Sequence, residues 1–220
     1  MSFQINPYLY RCYSFPGYFI REPEENKGRW KGLFENPQGL FLDIGCGSGS
    51  FIVDLARRHP GYAFIGIDYS LKYLLKAIKK ARAENLSNLR FVNYHARDIE
   101  KIFSRGEVSG AYLLFSDPYR KNRQIKHRVV QKDFLKSILR VMEKNRFLIV
   151  KTDDEAYFRQ IVNEIGSGEG FVIICVSEDF RDSEYRFGGI ESHYEKKFEA
   201  KKIKWLVARK TGRKLSTVKR

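Results

Sequence analysis

Cysteine and long apolar runs are scarce in this sequence of 220 residues. The three cysteines are widely separated and form no Cys-x-x-Cys pair, so the sequence predicts neither a disulfide framework nor a metal site. No apolar run approaches the roughly 20 residues that cross a bilayer. The first 21 residues also lack the pattern of a secretory signal. We therefore expect no membrane segment, no stable metal and a reduced, cytoplasmic compartment.

Basic residues outnumber acidic ones and give the chain a strong positive charge. Lysine and arginine number 41 against 26 aspartates and glutamates, which gives a net charge of +15. This excess favours a polyanionic partner, and nucleic acid before others. A hydrophobic content of 43%, with 15% aromatic residues, excludes a disordered polycation and suffices for one domain with its own core.

Apolar runs of strand length alternate with stretches of helical period from Leu40 onward. This alternation predicts a parallel sheet covered by helices on both faces. Seven strands are predicted at residues 40–44, 63–67, 89–93, 110–115, 146–151, 171–176 and 204–208. Helices are predicted to follow four of them, with Ser70 as one N-cap and Asp153 or Asp154 as another.

The texture of the sequence divides it into three parts. Residues 1–38 are rich in tyrosine and phenylalanine and are interrupted by prolines, which indicates an N-terminal arm docked by its tyrosines. Residues 39–210 form the predicted domain, and residues 211–220 a basic C-terminal tail. The polar segment 177–202, between the last two strands, is long for a plain connection and is predicted to be functional or mobile.

A glycine-rich turn, DIGCGSG at residues 43–49, follows the first predicted strand. Glycines let a ligand approach the backbone, but the full Gly-x-Gly-x-x-Gly of dinucleotide folds is absent. Asp43, two residues before the first glycine, suits a cation such as the ammonium of S-adenosyl-L-methionine. Asp68 ends the second predicted strand, where a carboxylate can accept both ribose hydroxyls. The turn, with Gly45 and Gly47, is thus predicted to bind S-adenosyl-L-methionine.

The fourth predicted strand runs into the sequence FSDPY at residues 115–119. Open parallel sheets bind ligands at the carboxyl ends of their strands, so Asp117 is expected to project over the cofactor. Five basic residues follow with no acid among them, which favours contacts with phosphates. They are Arg120, Lys121, Arg123, Lys126 and Arg128.

Together these motifs resemble the tRNA (guanine-N7)-methyltransferase family. The resemblance also includes VQKDFL at 130–135, KTD at 151–153 and Ser192-x-x-Glu195, and it covers about residues 37–210. It implies a Rossmann-like class I α/β fold with a mostly parallel seven-stranded sheet and an antiparallel last strand. The implied activity is methylation of a guanine N7 in the tRNA variable loop, with S-adenosyl-L-methionine as methyl donor.

The resemblance assigns roles to the matching residues. Asp43 and Asp68 match the cofactor-binding acids, Asp117 matches the catalytic-site acid, which also borders the cofactor, and His95 stands near the adenine. The residues matching guanine and RNA contacts are Lys121, Asp153, Ser192 and Glu195. This sequence departs from the family at Ser192, usually threonine, and at His95, usually an acid or amide. Further departures are Ser116, Tyr119, Gln124 and His127, where proline, tryptophan, histidine and arginine are usual.

The expected chemistry needs no general base. Guanine N7 has a lone pair and no proton to lose, so methyl transfer depends on alignment and desolvation. Asp117, Asp153 and Glu195 are interpreted as acceptors for guanine N1–H and N2–H and as counter-charges for the purine. We interpret the remaining cations, among them Arg120, Arg123, Lys126 and Arg128, as contacts for the tRNA backbone.

Two alternatives stay open at this stage. SDPY can be a variant of the motif of amino-methyltransferases that act on adenine, cytosine or glutamine, although it has only one proline. The chain can also be an RNA-binding module of the same fold without turnover, which the residues at 124 and 127 suggest. The sequence does not distinguish a monomer from a homodimer.

Overall fold

The computed structural model describes residues 6–180 and 202–211. Its strands are β1 (Phe19–Ile20), β2 (Leu40–Ile44), β3 (Ala63–Asp68), β4 (Leu89–Asn93), β5 (Gly110–Leu114), β6 (Phe147–Thr152), β7 (Phe171–Ser177) and β8 (Lys204–Lys210). Its helices are α1 (Pro7–Tyr13), α2 (Ser50–Arg58), α3 (Leu71–Ala83), α4 (Ile99–Ile102), α5 (Lys132–Val141) and α6 (Glu155–Ser167).

The strands in the described part of the chain form one sheet in the order β1-β4-β3-β2-β5-β6-β8-β7. All pairings are parallel except those of β8, which runs antiparallel to both β6 and β7. The order reverses between β2 and β5, so the connections place helices on both faces of the sheet. The prediction of a mostly parallel sheet with an antiparallel last strand is confirmed.

The seven predicted strands are all present, with bounds within two residues of those predicted. The structure adds an eighth, β1, whose two residues pair in parallel with Phe91 and Val92 of β4. A two-residue strand is too short to show any periodicity in sequence. Of the polar segment 177–202, the structure describes only residues at its two ends.

The two largest apolar cores lie on the two faces of the sheet. β3 is buried on both sides: Ile65 contributes to one core and Phe64 to the other, as alternation along a strand requires. Residues before position 39 enter both cores, since Cys12 of α1 packs with α3 and Trp30 packs on the opposite face. The indole Nε1 of Trp30 donates to the carbonyl of Ile102 at 2.6 Å, which satisfies its only donor.

The parallel strands end at one edge of the sheet, where the predicted functional residues follow them. This edge carries the glycine turn after β2, Asp68 at the end of β3, the segment 115–119 after β5 and Asp153 after β6. No helix in the described ranges is long and apolar enough to span a membrane.

Candidate active site at the carboxyl edge of the sheet

The glycine turn between β2 and α2 needs glycine for two different reasons. Gly45 and Gly47 have φ values of +79° and +53°, and a Cβ added to either would meet nothing within 4 Å. Their open side therefore leaves room for a ligand close to the backbone. Gly49 also has a positive φ, but a Cβ there would lie 2.5 Å from the Cβ of Ala77 in α3. This third glycine lets the start of α2 pack closely against α3.

Asp68 ties the glycine turn to the end of β3. Its Oδ2 accepts a hydrogen bond from the backbone N–H of Gly47 at 2.8 Å, and its Oδ1 accepts one from Ser70 N–H at 2.8 Å. Burial raises the pKa of the Asp68 carboxyl despite these bonds, and the charge of Asp117 raises it further. The backbone N–H of Tyr69 is a third donor to Asp68. A carboxylate accepts about four hydrogen bonds, so Asp68 retains acceptor capacity for a ligand hydroxyl.

Asp43 is the most deeply buried acid at this edge, with 2% of its surface exposed. Burial, and secondarily the neighbouring charge of Asp68, raise the pKa of the Asp43 carboxyl from 3.8 to about 8. A carboxyl in this state gains from any cation placed beside it, because the cation offsets the cost of burying the negative charge. The environment of Asp43 therefore fits the cationic end of an amino-acid-like ligand.

A cavity of about 360 Å³ opens at the ends of β3 and β4. It is lined by Tyr69, Asn93, Tyr94, His95 and Asp98. His95 had been predicted near an adenine, and its Nδ1 accepts the N–H of Arg97 at 3.3 Å. The sequence analysis missed Tyr69 and Asn93, although each is adjacent to a strand end that it had located. The cavity adjoins Asp68 through Tyr69 and is large enough for a planar heterocycle.

The segment FSDPY has an unusual backbone. Phe115 and Tyr119 have φ values of +54° and +39°, in the left-handed region that non-glycine residues rarely adopt. Asp117 between them is exposed. Burial is the main cause of the raised pKa values of Asp68 and Tyr69, and the charge of Asp117 raises both further, so Asp117 lies within electrostatic reach of these two residues. Such backbone strain is typical of functional segments that the surrounding structure holds in place.

The basic segment that follows forms a 3-10 helix, Asn122–His127. Lys121, Arg123 and Lys126 are exposed, and none forms a salt bridge with a carboxylate in the described part of the chain. The Arg120 Nε donates to Asp154 at 2.7 Å, although the Arg120 side chain stays 71% exposed. Arg128 differs from all of these because it is only 5% exposed.

Two adjacent acids follow β6 and differ in role. Asp154 is the N-cap of α6, since its Oδ1 accepts the N–H of Tyr157 at 2.9 Å. Burial alone would raise the pKa of Asp154, but its bonds to Arg120 and Tyr157 outweigh burial and lower it. Asp153 is half-buried at the same edge and is not the helix cap. Ser192 and Glu195, predicted with Asp153, lie outside the described residues.

The sheet order and the site together define a class of enzyme. A glycine turn after β2, an acid ending β3 and an antiparallel β8 between β6 and β7 characterise a Rossmann-like class I methyltransferase. Residues 37–208 match a sequence family described as "Putative methyltransferase". A solved structure described as 16S rRNA methyltransferase KamB has the same fold, with a TM-score of 0.64 at 13% identity over 84% of this chain and 93% of that one.

Relatives with assigned names are more similar in sequence. The tRNA (guanine-N(7)-)-methyltransferase of Geobacillus thermodenitrificans is 36% identical over 188 residues, covering 86% of each chain. That of Listeria welshimeri is 36% identical over 191 residues, covering 87% of this chain and 88% of the other. The chain belongs to the tRNA (guanine-N7)-methyltransferase family.

Proposed function

We propose that this chain transfers the methyl group of S-adenosyl-L-methionine to N7 of a guanine in the variable loop of tRNA. The observation that carries the proposal is the position of Asp117, which follows β5 next to β2 and its glycine turn and precedes an exposed cationic helix. One edge of the sheet thus offers a site for a cationic cofactor beside a surface for a polyanion. Its relatives carry the name of this activity.

The residues of the glycine turn fit S-adenosyl-L-methionine. Gly45 and Gly47 leave open space at the backbone, Asp43 offers a buried carboxyl to a cation, and Asp68 retains acceptor capacity for a ribose hydroxyl. The cavity that His95 lines suits the adenine. When bound, the cofactor supplies an electrophilic methyl group on a sulfonium.

The acids beyond the cofactor suit guanine. Guanine N7 needs no base, so the protein's task is to align the ring and exclude water. We assign to Asp117 the acceptance of guanine N–H groups and the stabilisation of the positive charge that the purine gains. Lys121, Asp153, Ser192 and Glu195 complete the proposed substrate contacts, and their roles come from the resemblance to the family.

Exposed cations next to Asp117 suit the tRNA backbone. Arg120, Arg123 and Lys126 are assigned to phosphates, because fixed phosphate contacts orient an RNA that is recognised by its shape. Within this proposal the protein acts in the cytoplasm, as a monomer or homodimer.

Transfer of a labelled methyl group to unmodified tRNA tests the proposal. The tRNA is then cleaved chemically at N7-methylguanine, and we expect one cleavage in the variable loop. Label in an exocyclic amine would support an amino-methyltransferase instead. Binding of tRNA without labelled product would contradict enzymatic activity.

The substitution Asp117→Asn tests the role assigned to Asp117. Asp117→Asn keeps the size of the side chain but removes the counter-charge, so we expect the single-turnover rate to fall by about 10² to 10³. The rate is measured with saturating tRNA and cofactor, and Glu35→Gln, on an exposed side chain before β2, is the matched control. An unchanged rate in Asp117→Asn would remove Asp117 from the chemistry.

A further inference from the structure

We propose that Arg128 is a positioning residue that, together with Tyr157, holds the residues on either side of Asp117, and that it does not contact the tRNA. The inference rests on the proposed function, because the position of Asp117 matters only if methyl transfer occurs at this edge. Arg128 is the last of the five cations after FSDPY, and nothing in the sequence separates it from the other four.

The guanidinium of Arg128 donates two hydrogen bonds inside the protein. Its Nε donates to the carbonyl of Pro118 at 2.6 Å, and its Nη1 donates to Oε1 of Gln160 in α6 at 2.5 Å. The guanidinium carbon also lies 4.9 Å from the ring centroid of Tyr157. Pro118 directly follows Asp117, so one arginine donor fixes the carbonyl of the residue after the acid.

The other side of Asp117 is held by the same cluster. The hydroxyl of Tyr157, which is fully buried, lies 3.3 Å from the hydroxyl of Ser116. The Tyr157 hydroxyl also accepts the N–H of Val130 at 3.2 Å. The residues before and after Asp117 are therefore both linked to the pair formed by Arg128 and Tyr157.

We call the pair formed by Arg128 and Tyr157 the clamp. The backbone conformation of FSDPY, residues 115–119, explains why this clamp is needed. Phe115 and Tyr119 are non-glycine residues at positive φ, a conformation that persists only where surrounding contacts impose it. A second arginine, Arg97, donates to the carbonyls of Lys126 and, at 3.3 Å, Arg128. The clamp is thus anchored to the turn after β4, beside His95 and its cavity.

The substitution Arg128→Lys separates a clamp from a phosphate contact. Lysine keeps the charge and can still contact a phosphate, but a single ammonium cannot reproduce the planar set of donors and the stacking on Tyr157. We expect the single-turnover rate at saturating tRNA to fall about 10- to 100-fold, because a small displacement of the reacting groups slows transfer by this order. The dissociation constant for tRNA should change less than about 2-fold, since the charge is kept.

Arg159→Lys is the matched control, because Arg159 lies on the same helix as Gln160 but is exposed and pairs with Glu155. It should match wild type in both measurements. If wild type itself makes no methylated tRNA, the proposed function fails. If wild type is active and Arg128→Lys keeps the wild-type rate, or loses affinity for tRNA with an unchanged rate, the clamp alone is refuted.

A second variant keeps the test decisive if Arg128→Lys does not fold. Tyr157→Phe retains the ring under the guanidinium and removes only the hydroxyl that contacts Ser116 and Val130. We expect its rate at saturation to fall about 3- to 10-fold with unchanged affinities for tRNA and S-adenosylhomocysteine. A wild-type rate in Tyr157→Phe would overturn the proposal.

Discussion

At the scale of single residues, the site contains two buried acids, Asp43 and Asp68. A cation of the bound ligand would offset the cost of burying their negative charge. Motif and strand position were enough to predict Asp43, Asp68 and Asp117 at one edge, because parallel strands end together. The burial of Arg128 could not be predicted, because nothing in the sequence distinguishes a buried arginine from the exposed basic residues beside it. Tyr69 was missed because an aromatic residue after a strand is ordinary in sequence.

The pKa of Asp43 makes the stability of the ligand-free protein depend on pH. Its folded value of about 8 lies above the ordinary 3.8, so between these values the folded protein holds a proton that the unfolded chain has released. Raising the pH through this window therefore lowers the free energy of unfolding. Asp43→Asn removes this loss, and its gain in Tm over wild type should be larger at pH 8.5 than at pH 5 by about 3 °C or more.

Calorimetric unfolding at the two pH values measures this difference, and Glu35→Gln serves as the exposed control. The same Asp43→Asn variant should bind S-adenosylhomocysteine more weakly than wild type, because the ammonium loses its counter-charge. Identical pH dependence of Tm in wild type and Asp43→Asn would show that Asp43 is not a buried, destabilised carboxyl.

At the scale of elements, hydrophobic periodicity predicted the strands from β2 to β8 because each is an apolar run bounded by polar turns, and all but β7 are largely buried. β1 and α1 could not be found this way. β1 has two residues, and α1 has seven, of which only Cys12 is buried. Their positions depend on tertiary partners, namely β4 for β1 and α3 for α1.

The packing of α2 against α3 can be tested at Gly49. Gly49→Ala introduces both positive-φ strain and a Cβ contact of 2.5 Å with Ala77. Gly106→Ala is the matched control, because Gly106 has a φ of +69° but an added Cβ there meets nothing within 4 Å. Chemical denaturation should show a loss of about 1–2 kcal/mol for Gly106→Ala. Gly49→Ala should lose about 1–3 kcal/mol more through overpacking.

Equal losses in the two variants would mean that the contact between α2 and α3 is not tight. In that case the third glycine of the turn would be explained by its backbone conformation alone.

At the scale of the whole molecule, a net charge of +15 accompanies an exposed cationic helix beside the proposed site. The net charge predicted a polyanionic partner. Only the structure distinguishes the exposed cations from those that bond to other groups of the protein. We therefore expect the affinity for tRNA to depend on a few exposed side chains and to fall steeply as the salt concentration rises.

Salt titration of tRNA binding tests this expectation. Wild type should lose affinity linearly on a log–log plot, and Arg123→Ala and Lys126→Ala should each reduce the slope by about 1. Arg159→Ala removes a cation that pairs with Glu155 and should leave the slope unchanged. Equal slopes in all four proteins would contradict phosphate contacts by residues 123 and 126.

The central claim is that the methyl group is transferred to a ring nitrogen that needs no deprotonation. The most direct measurement is single-turnover transfer to tRNA carrying 7-deazaguanosine in place of the methylated variable-loop guanosine. This base keeps the N1–H and N2–H donors and lacks only the N7 lone pair. We expect the dissociation constant of the deaza tRNA to lie within about 2-fold of that of normal tRNA. We expect no labelled product from it. Label in the deaza tRNA at the wild-type rate would contradict it.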